Sequence, residues 1–321
     1  MHRIRTALTA ALLGLLTVSA HAAIDSPVRR AFNVAPGGTL YLDTDVGNVH
    51  VVPGAAGVVV SVQRHARSQK ELDRVHLSMQ QQGNDVHVRN EVERQGSRWF
   101  SWGNDLDMTF DVTVPAHYNV ELKTSGGNVS VGDLHGFVHA RTSGGDVRLA
   151  HIDGPVEGHT SGGDVRLDGA SGNANLHTSG GSVVAGDIGG NLEIKSSGGS
   201  LEAHRVGGTL YARTSGGGIT IGEARGAIDA ATSGGSIRAS LSAQPRGDSR
   251  LSTSGGSITV ALAPSIGVDL DAHTSGGDVN SDLPITVMGK VSDDSLSGKL
   301  NGGGPKLVLR SSGGGIHVRK L

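Results

Sequence analysis

Apolar and polar residues alternate in short runs along this chain, and the same run returns at a fixed spacing. One unit reads apolar-x-apolar-x-Thr-Ser-Gly-Gly-x-apolar-x-apolar, followed by one more apolar residue and then a glycine. Alternation with a period of two is typical of β-strands that bury one face. Each unit therefore predicts two short strands joined by a glycine corner.

The tetrapeptide Thr-Ser-Gly-Gly, or its variant Ser-Ser-Gly-Gly, marks these units. Seven copies follow one another at intervals of 18 residues, and three more follow at wider spacings. They begin at Thr124, Thr142, Thr160, Thr178, Ser196, Thr214, Thr232, Thr253, Thr274 and Ser311. A short fixed period is typical of solenoids, because one unit cannot bury its apolar face without stacking on its neighbours. We expect an all-β, single-chain β-solenoid (β-helix) with coils of about 18 residues.

The alternation also predicts which side chains point inward. The Thr or Ser of each corner would line the interior and form a hydroxyl ladder along the stack, and Gly-Gly would supply a corner with positive φ. A catalytic serine has no reason to recur ten times, so we exclude these hydroxyls as nucleophiles. One further inward column would consist of Leu134, Ile152, Ala170, Ile188, Val206 and Ala224.

Three segments follow from the pattern. Residues 1–22 have basic residues, an apolar stretch and Ala20-His21-Ala22, which predict a signal peptide and an exported protein, in the periplasm or at the cell surface. Residues 23–120 predict irregular β coils, with a helical or extended excursion at residues 68–77. Residues 121–321 predict the regular repeats and, from Ser281 onward, a C-terminal cap that protects the last strands from edge pairing.

Composition narrows the functional classes. The chain has no cysteine, and its formal net charge of −2 becomes more negative once the two arginines of the leader are removed, which does not favour a nucleic-acid partner. After the leader, no apolar stretch is long enough to cross a bilayer. Most coils lack the carboxylates of calcium-binding rolls, so we expect no metal and no cofactor.

The leader, the Thr-Ser-Gly-Gly-x-[Val/Ile/Leu] repeat and the glycine-rich corners resemble the bacterial family of putative adhesins, a β-strand-repeat domain of unknown function. The resemblance covers residues 32–321. It implies the solenoid fold and an adhesin-like role at the cell envelope. It implies no catalytic residues.

One candidate contact surface is a column of basic residues. The residue before the Thr points outward in each coil, and in six successive coils it is Lys123, Arg141, His159, His177, Lys195 and Arg213. A mostly acidic column, two residues earlier in each coil, would lie beside it. Two interpretations stay open: a charge-paired, solvated sheet, or a face that binds an anionic or sugar polymer. His159 and His177 lie one coil apart, but without a carboxylate companion they make a weak metal site.

A second candidate contact surface is the segment Arg98-Trp99-Phe100-Ser101-Trp102, which holds both tryptophans of the chain. Clustered aromatic residues such as Trp99, Phe100 and Trp102 are typical of binding hot spots and of interfaces. The alternative is that they cover the open N-terminal end or the side of the solenoid.

The function that we expect is a non-enzymatic, adhesin-like module of the cell envelope, with a polysaccharide or another envelope protein as its partner. One alternative is a polysaccharide-acting enzyme on a β-helix, for which Asp105, Asp107 and Asp111 are the acidic cluster outside the repeats. Another is a structural or signalling subunit of an envelope complex.

Overall fold

The computed structural model describes residues 24–54, 56–93, 106–287 and 292–321. These residues form two long β-sheets of 16 and 15 strands that face each other across one apolar core. The predicted β-solenoid is confirmed. The predicted signal peptide, residues 1–22, lies outside the described residues.

The elements follow one another in three groups. The N-terminal group is β1 (Ile24–Asp25), β2 (Val28–Phe32), β3 (Thr39–Thr44), β4 (Asn48–Gly54), β5 (Val58–Ala66), α1 (Gln69–Leu72), β6 (Val75–Gln82), β7 (Asp85–Val92) and β8 (Asp107–Pro115). The regular group is β9 (Asn119–Thr124), β10 (Val129–Val131), β11 (Leu134–His135), β12 (Val138–Arg141), β13 (Val147–Asp153), β14 (Val156–His159), β15 (Val165–Ala170), β16 (Ala174–His177), β17 (Val183–Ile188), β18 (Leu192–Lys195), β19 (Leu201–Val206), β20 (Leu210–Thr214), β21 (Ile219–Ala224), β22 (Ile228–Thr232) and β23 (Ile237–Leu241). The C-terminal group is β24 (Ser249–Thr253), β25 (Ile258–Leu262), β26 (Val268–Thr274), β27 (Val279–Ser281), β28 (Ile285–Val287), β29 (Ser295–Leu300), β30 (Lys306–Ser311) and β31 (Ile316–Lys320).

Each regular coil contributes one strand to each sheet, and the coil of β10 adds the short strand β11 to the same sheet as β10. We call the 15-stranded sheet, which holds the strands before the Thr-Ser-Gly-Gly corners, the front sheet, and the 16-stranded sheet the back sheet. Strands of successive coils pair in parallel with a fixed register, so that Val138 lies opposite Val120 on one side and Val156 on the other. Residues one period apart therefore stack in columns.

The core consists of the inward columns that the alternation predicts. Val120 and Leu122 of β9 are buried, as are Val129 and Val131 of β10. The column that begins with Leu134 is buried throughout. Because the space between the two sheets is thin, aliphatic side chains fill it and the aromatic fraction stays low.

The corner hydroxyls form the predicted ladder, and their partners are backbone atoms. Thr142 Oγ1 donates to the Gly127 carbonyl oxygen of the preceding coil at 2.7 Å and accepts from the Gly145 N–H of its own coil at 3.4 Å. The next three coils repeat both contacts. Each hydroxyl thus joins two coils at the corner.

The prediction that the corner glycines need positive φ is wrong. Neither Gly144 nor Gly145 has a positive φ. Instead, a Cβ atom on Gly145 would lie 2.2 Å from the Gly127 carbonyl oxygen. Stacked corners approach so closely that only a hydrogen atom fits at the second glycine, which is a steric requirement between coils and not a conformational one within a coil.

At both ends of the solenoid, the order of the coils in the stack differs from their order in the chain. The first coil, β3–β4, lies between the coil β7–β8 and the coil β9–β10, with Thr44 opposite Thr124. The last coil, β30–β31, lies between β24–β25 and β26–β27. Antiparallel strands follow outside: β5 and β6 at one end, β28 and β29 at the other. The first and last coils of the sequence are therefore held on both sides. At the C-terminal end, β28 and β29 extend the front sheet only, and β27 is the edge strand of the back sheet in the described part of the chain. Residues 69–72 of the predicted excursion form the helix α1.

Candidate binding face

The outer face of the front sheet collects the six basic residues of the predicted column. Arg141 lies in register between Lys123 and His159. His177 lies in register between His159 and Lys195, which is followed by Arg213. We call these six residues the basic column. The neighbouring middle column contains, in the same coils, Glu121, His139, Glu157, Asn175, Glu193 and Tyr211.

Most cations of the basic column are paired with carboxylates. Arg141 pairs with Glu157, and Lys195 pairs with Glu193. Each of these exposed pairs is worth about 0–1 kcal/mol. Two more pairs join Lys123 to Asp43 at 3.4 Å and Arg213 to Asp229 at 2.7 Å. The face is therefore charge-compensated.

His159 and His177 differ from the other members of the basic column. Their rings stack with centroids 4.9 Å apart and planes 10° apart. Within the described part of the chain, neither imidazole has a hydrogen bond or an ion pair. Burial, then the charges of His177 and Arg141, lowers the pKa of His159, while Glu157 opposes the shift.

A groove of about 470 Å³ runs along the stacking direction beside the middle column. His139 lies at one end and Tyr211 at the other, four coils further on. The Tyr211 ring centroid lies 4.4 Å from Arg213 Cζ and 5.1 Å from Lys195 Nζ. These cations hold the ring in place at the end of the groove.

Asparagines line the opposite side of the groove and its middle. Asn173 Oδ1 accepts from the Asn191 N–H at 2.8 Å, and Asn191 Oδ1 accepts from the Thr209 N–H at 2.8 Å. Among the described residues the amide nitrogens of both side chains have no partner, so they remain available as donors. Asn175, which is exposed, is a short side chain between two glutamates of the middle column.

A second groove of about 500 Å³ lies on the same face toward the N-terminal end. Tyr41 and His87 stack there, with ring centroids 4.7 Å apart. Asp43 and Lys123, which form an ion pair, also line it. The front sheet thus offers grooves with an aromatic residue and paired charges at two places along its length.

The other predicted residues are not part of this face. Trp99, Phe100, Trp102 and Asp105 lie outside the described residues. Asp107 and Asp111 are exposed on β8, which belongs to the back sheet. Asp107 and Asp111 therefore lie on a different sheet from the grooves.

A cluster of histidines and aspartates at β11 was not predicted from the sequence. His135 Nδ1 lies 3.0 Å from Asp153 Oδ2, and the His135 ring stacks on His117 with centroids 4.4 Å apart. A hydrogen bond from Ser171, followed by one from His135, lowers the pKa of Asp153. The 18-residue interval between these partners is the signal that could have revealed the cluster. No group of three or more residues that could hold a metal ion occurs in the described ranges.

The fold and the face together define a class: a two-sheet parallel β-solenoid with polar grooves along one outer face. In the ranges that the structure describes, no helix is long and apolar enough to cross a membrane. The chain belongs to the Toastrack DUF4097 family, whose profile matches residues 40–319.

Several solved structures are similar to this chain. One is a putative adhesin from Bacteroides fragilis, at 14% identity and a TM-score of 0.36, which covers 92% of this chain and 97% of that one. Another is a putative lipid binding protein from Parabacteroides distasonis, at 14% identity and a TM-score of 0.38, with 92% and 96% covered. A third is a putative cell adhesion protein from Clostridium sporogenes, at 13% identity and a TM-score of 0.24, with 92% and 100% covered. The comparison with curated proteins gives no match.

Proposed function

We propose that this protein is a non-enzymatic, adhesin-like module, exported to the periplasm or the cell surface, and that the outer face of its front sheet binds an extended polysaccharide of the cell envelope. The groove between His139 and Tyr211 carries this proposal. It is open along the stacking direction and has polar side chains from every coil that it crosses.

The geometry of the groove suits a polymer. Strands of adjacent coils lie about 4.8 Å apart, so a groove across five coils is on the order of 20 Å long. A chain of sugars, which also repeats along its length, can make similar contacts in successive coils. Asparagine donors and glutamate acceptors match sugar hydroxyls, and an aromatic ring at the end adds apolar contact area.

Charge compensation favours a sugar chain over a simple polyanion. A polyanion would have to displace the carboxylates that already pair with Arg141 and Lys195. A hydroxyl-bearing chain can instead bond to ion pairs that remain intact. Hydrogen bonds to charged groups are also the stronger ones, at about 1.5–3 kcal/mol each.

The environment of the glutamates supports a non-enzymatic role. A glycosidase needs two carboxylates whose surroundings differ, so that one acts as an acid and the other as a base or nucleophile. Glu157 and Glu193 occupy equivalent positions of the repeat, and each forms an ion pair with a cation of the basic column. This equivalence suits repeated contacts better than one chemical step.

Calorimetric titration with a panel of envelope polysaccharides and peptidoglycan fragments tests the proposal. Asn175→Trp fills the groove at its middle without touching the core, because Asn175 is exposed. Thr220→Trp, at an exposed position of β21 in the back sheet, is the matched control. We expect Asn175→Trp to weaken binding at least about tenfold, equivalent to 1.4 kcal/mol, and Thr220→Trp to leave it unchanged. Absence of binding across the panel, or equal affinity of the two variants, would contradict the proposal.

A further inference from the structure

We propose that the bound polysaccharide carries an acidic substituent, and that this substituent binds in a smaller cavity of the front sheet between His159, His177 and Lys195. This inference rests on the proposed function, because it names the chemical class of the same ligand. It concerns a different cavity, with its own chemistry and its own test.

The cavity adjoins the groove. It has a volume of about 250 Å³ and lies on the other side of the middle column. Glu157, Asn175 and Glu193 line both the cavity and the groove. Asn175 is the shortest of these three side chains. A substituent that branches from a sugar chain in the groove can therefore cross the middle column over Asn175 and enter the cavity.

The two imidazoles supply the chemistry for an acidic group. Among the described residues they are the members of the basic column that have neither an ion pair nor a hydrogen bond. A protonated imidazole donates from both ring nitrogens. A carboxylate, phosphate or sulfate accepts such charge-assisted bonds, which are about twice as strong as neutral ones.

The net charge of the cavity depends on whether the two histidines are protonated. The neighbouring ion pairs, Arg141 with Glu157 and Lys195 with Glu193, cancel internally. Net positive charge therefore appears when His159 and His177 take up protons. The titratable and charged groups that face the pair come from β12, β14 and β18, and they are Arg141, His139, Glu157, Lys195 and Glu193.

Binding of an acidic group is then linked to pH. In the free protein, burial and neighbouring cations lower the pKa of His159, so the charged form is disfavoured. A bound anion compensates that charge and raises the pKa again. Because linkage is reciprocal, the anion binds more tightly as the pH falls. A neutral sugar chain in the groove has no such dependence.

Sulfate titration followed by NMR tests the cavity itself. The imidazole signals of His159 and His177 are followed against pH in the full chain, with and without inorganic sulfate. We expect sulfate to raise the pKa of His159 and to perturb the imidazole signals of His177, and Lys195→Gln to reduce both effects. Arg238→Gln removes an exposed cation from the back sheet and is the matched control. If sulfate changes neither the His159 pKa nor the His177 signals, the inference is overturned.

A pair of polymers tests the ligand class. A polygalacturonate with most of its carboxyl groups methyl-esterified, the acid form, and the fully esterified polymer, the methyl ester, share one backbone and differ in a few acidic groups. Both are titrated at about pH 5.5 and about pH 8, on either side of the ordinary histidine pKa. We expect the acid form alone to bind about tenfold more tightly at the lower pH. The double variant His159→Gln/His177→Gln should lose this difference and retain binding of the methyl ester.

The two proposals fail in different ways. If the polymers bind in the groove with no preference for the acid form, the acidic-substituent inference is wrong and the proposed function stands. If Asn175→Trp leaves the binding of every polymer unchanged, the proposed function is wrong whatever the histidines do. A phosphate-bearing oligosaccharide as a third probe distinguishes phosphate from carboxylate recognition.

Discussion

Replacing Thr178 by valine removes one hydroxyl from the ladder and keeps the shape and β-branching of the side chain. Thr178 is fully buried, and its Oγ1 donates to the Gly163 carbonyl oxygen at 2.7 Å and accepts from the Gly181 N–H at 3.2 Å. Neither backbone group has another partner among the described residues. Both hydrogen bonds are part-buried, so each backbone group that loses its partner costs about 1 kcal/mol, the low end of the range for an unpaired polar group. We expect Thr178→Val to lower the free energy of unfolding by about 2 kcal/mol.

Two variants separate the hydroxyl from other effects. Thr178→Ser keeps the hydroxyl and loses one methyl group, at a cost of about 0.8 kcal/mol, and serine already occupies this column at Ser196 and Ser311. Thr220→Val makes the same chemical change at an exposed position of the back sheet. It should change stability by less than about 0.5 kcal/mol.

Equilibrium urea unfolding followed by circular dichroism measures the loss. Because coils in a solenoid are coupled mainly to their neighbours, hydrogen exchange at the Gly181 N–H measures the local effect as well. Thr178→Val should speed that exchange, and Thr178→Ser should not. If Thr178→Val unfolds at the same urea concentration as Thr178→Ser, the hydroxyls do not hold the coils together.

Three further predictions concern sterics and pH. Gly127→Ala would place a Cβ atom 1.9 Å from the Gly47 carbonyl oxygen, whereas a Cβ atom on Gly126 meets nothing within 4 Å. Thermal unfolding should show a loss of stability of about 1–3 kcal/mol or more for Gly127→Ala and none for Gly126→Ala. Equal melting temperatures of the two variants would contradict the close-packing explanation. Burial, then the charge of Asp85, raises the pKa of Tyr118 to about 12. The neutral form of Tyr118 is therefore favoured in the folded state, and the free energy of unfolding should fall as the pH rises from about 10, the ordinary tyrosine pKa, towards 12. Tyrosinate absorbance measured against pH checks this prediction, and simultaneous titration of all three tyrosines near the ordinary value would refute it. The lowered pKa of His159 means that the unfolded state binds its proton more readily, so the free energy of unfolding should fall as the pH drops below the ordinary histidine value of 6.5. His159→Gln should flatten that part of a stability-versus-pH curve, and an unchanged curve would argue against this explanation.

The sequence could predict the coil because the information is local and repeated. Val138 and Ala140 are buried, as the alternation requires, and the period of 18 residues places Arg141 beside Lys123 without any knowledge of the fold. Any property that depends only on the position within a coil follows from the same reasoning. The hydroxyl ladder is one such property.

The order of the terminal coils could not be predicted. Thr274 and Ser311 belong to units of the same pattern, and each unit has an apolar face that fits the end of the stack. Only the tertiary fold shows that the unit of Ser311 pairs with that of Thr253 and that the unit of Thr274 lies outside it. Pairing between equivalent repeats is degenerate in the sequence, so chain order is a poor guide at the ends.

The grooves could not be predicted from the sequence, for a different reason. They depend on how far each side chain extends from the sheet, and on contacts between residues far apart in the chain. Lys123, for example, pairs with Asp43, which is 80 residues away and in a coil outside the regular array. A column of outward positions can be read from the period, but the depressions between columns arise from the sizes of neighbours such as Asn175 and Tyr211.

Chemical-shift mapping of the full chain with a saturating envelope polysaccharide tests the central claim most directly. We expect the perturbed amides and side chains to form one continuous strip on the outer face of the front sheet, between His139 and Tyr211, and to extend to His159 and His177 when the polysaccharide is acidic. Perturbations confined to the back sheet or to the ends of the solenoid would contradict this claim.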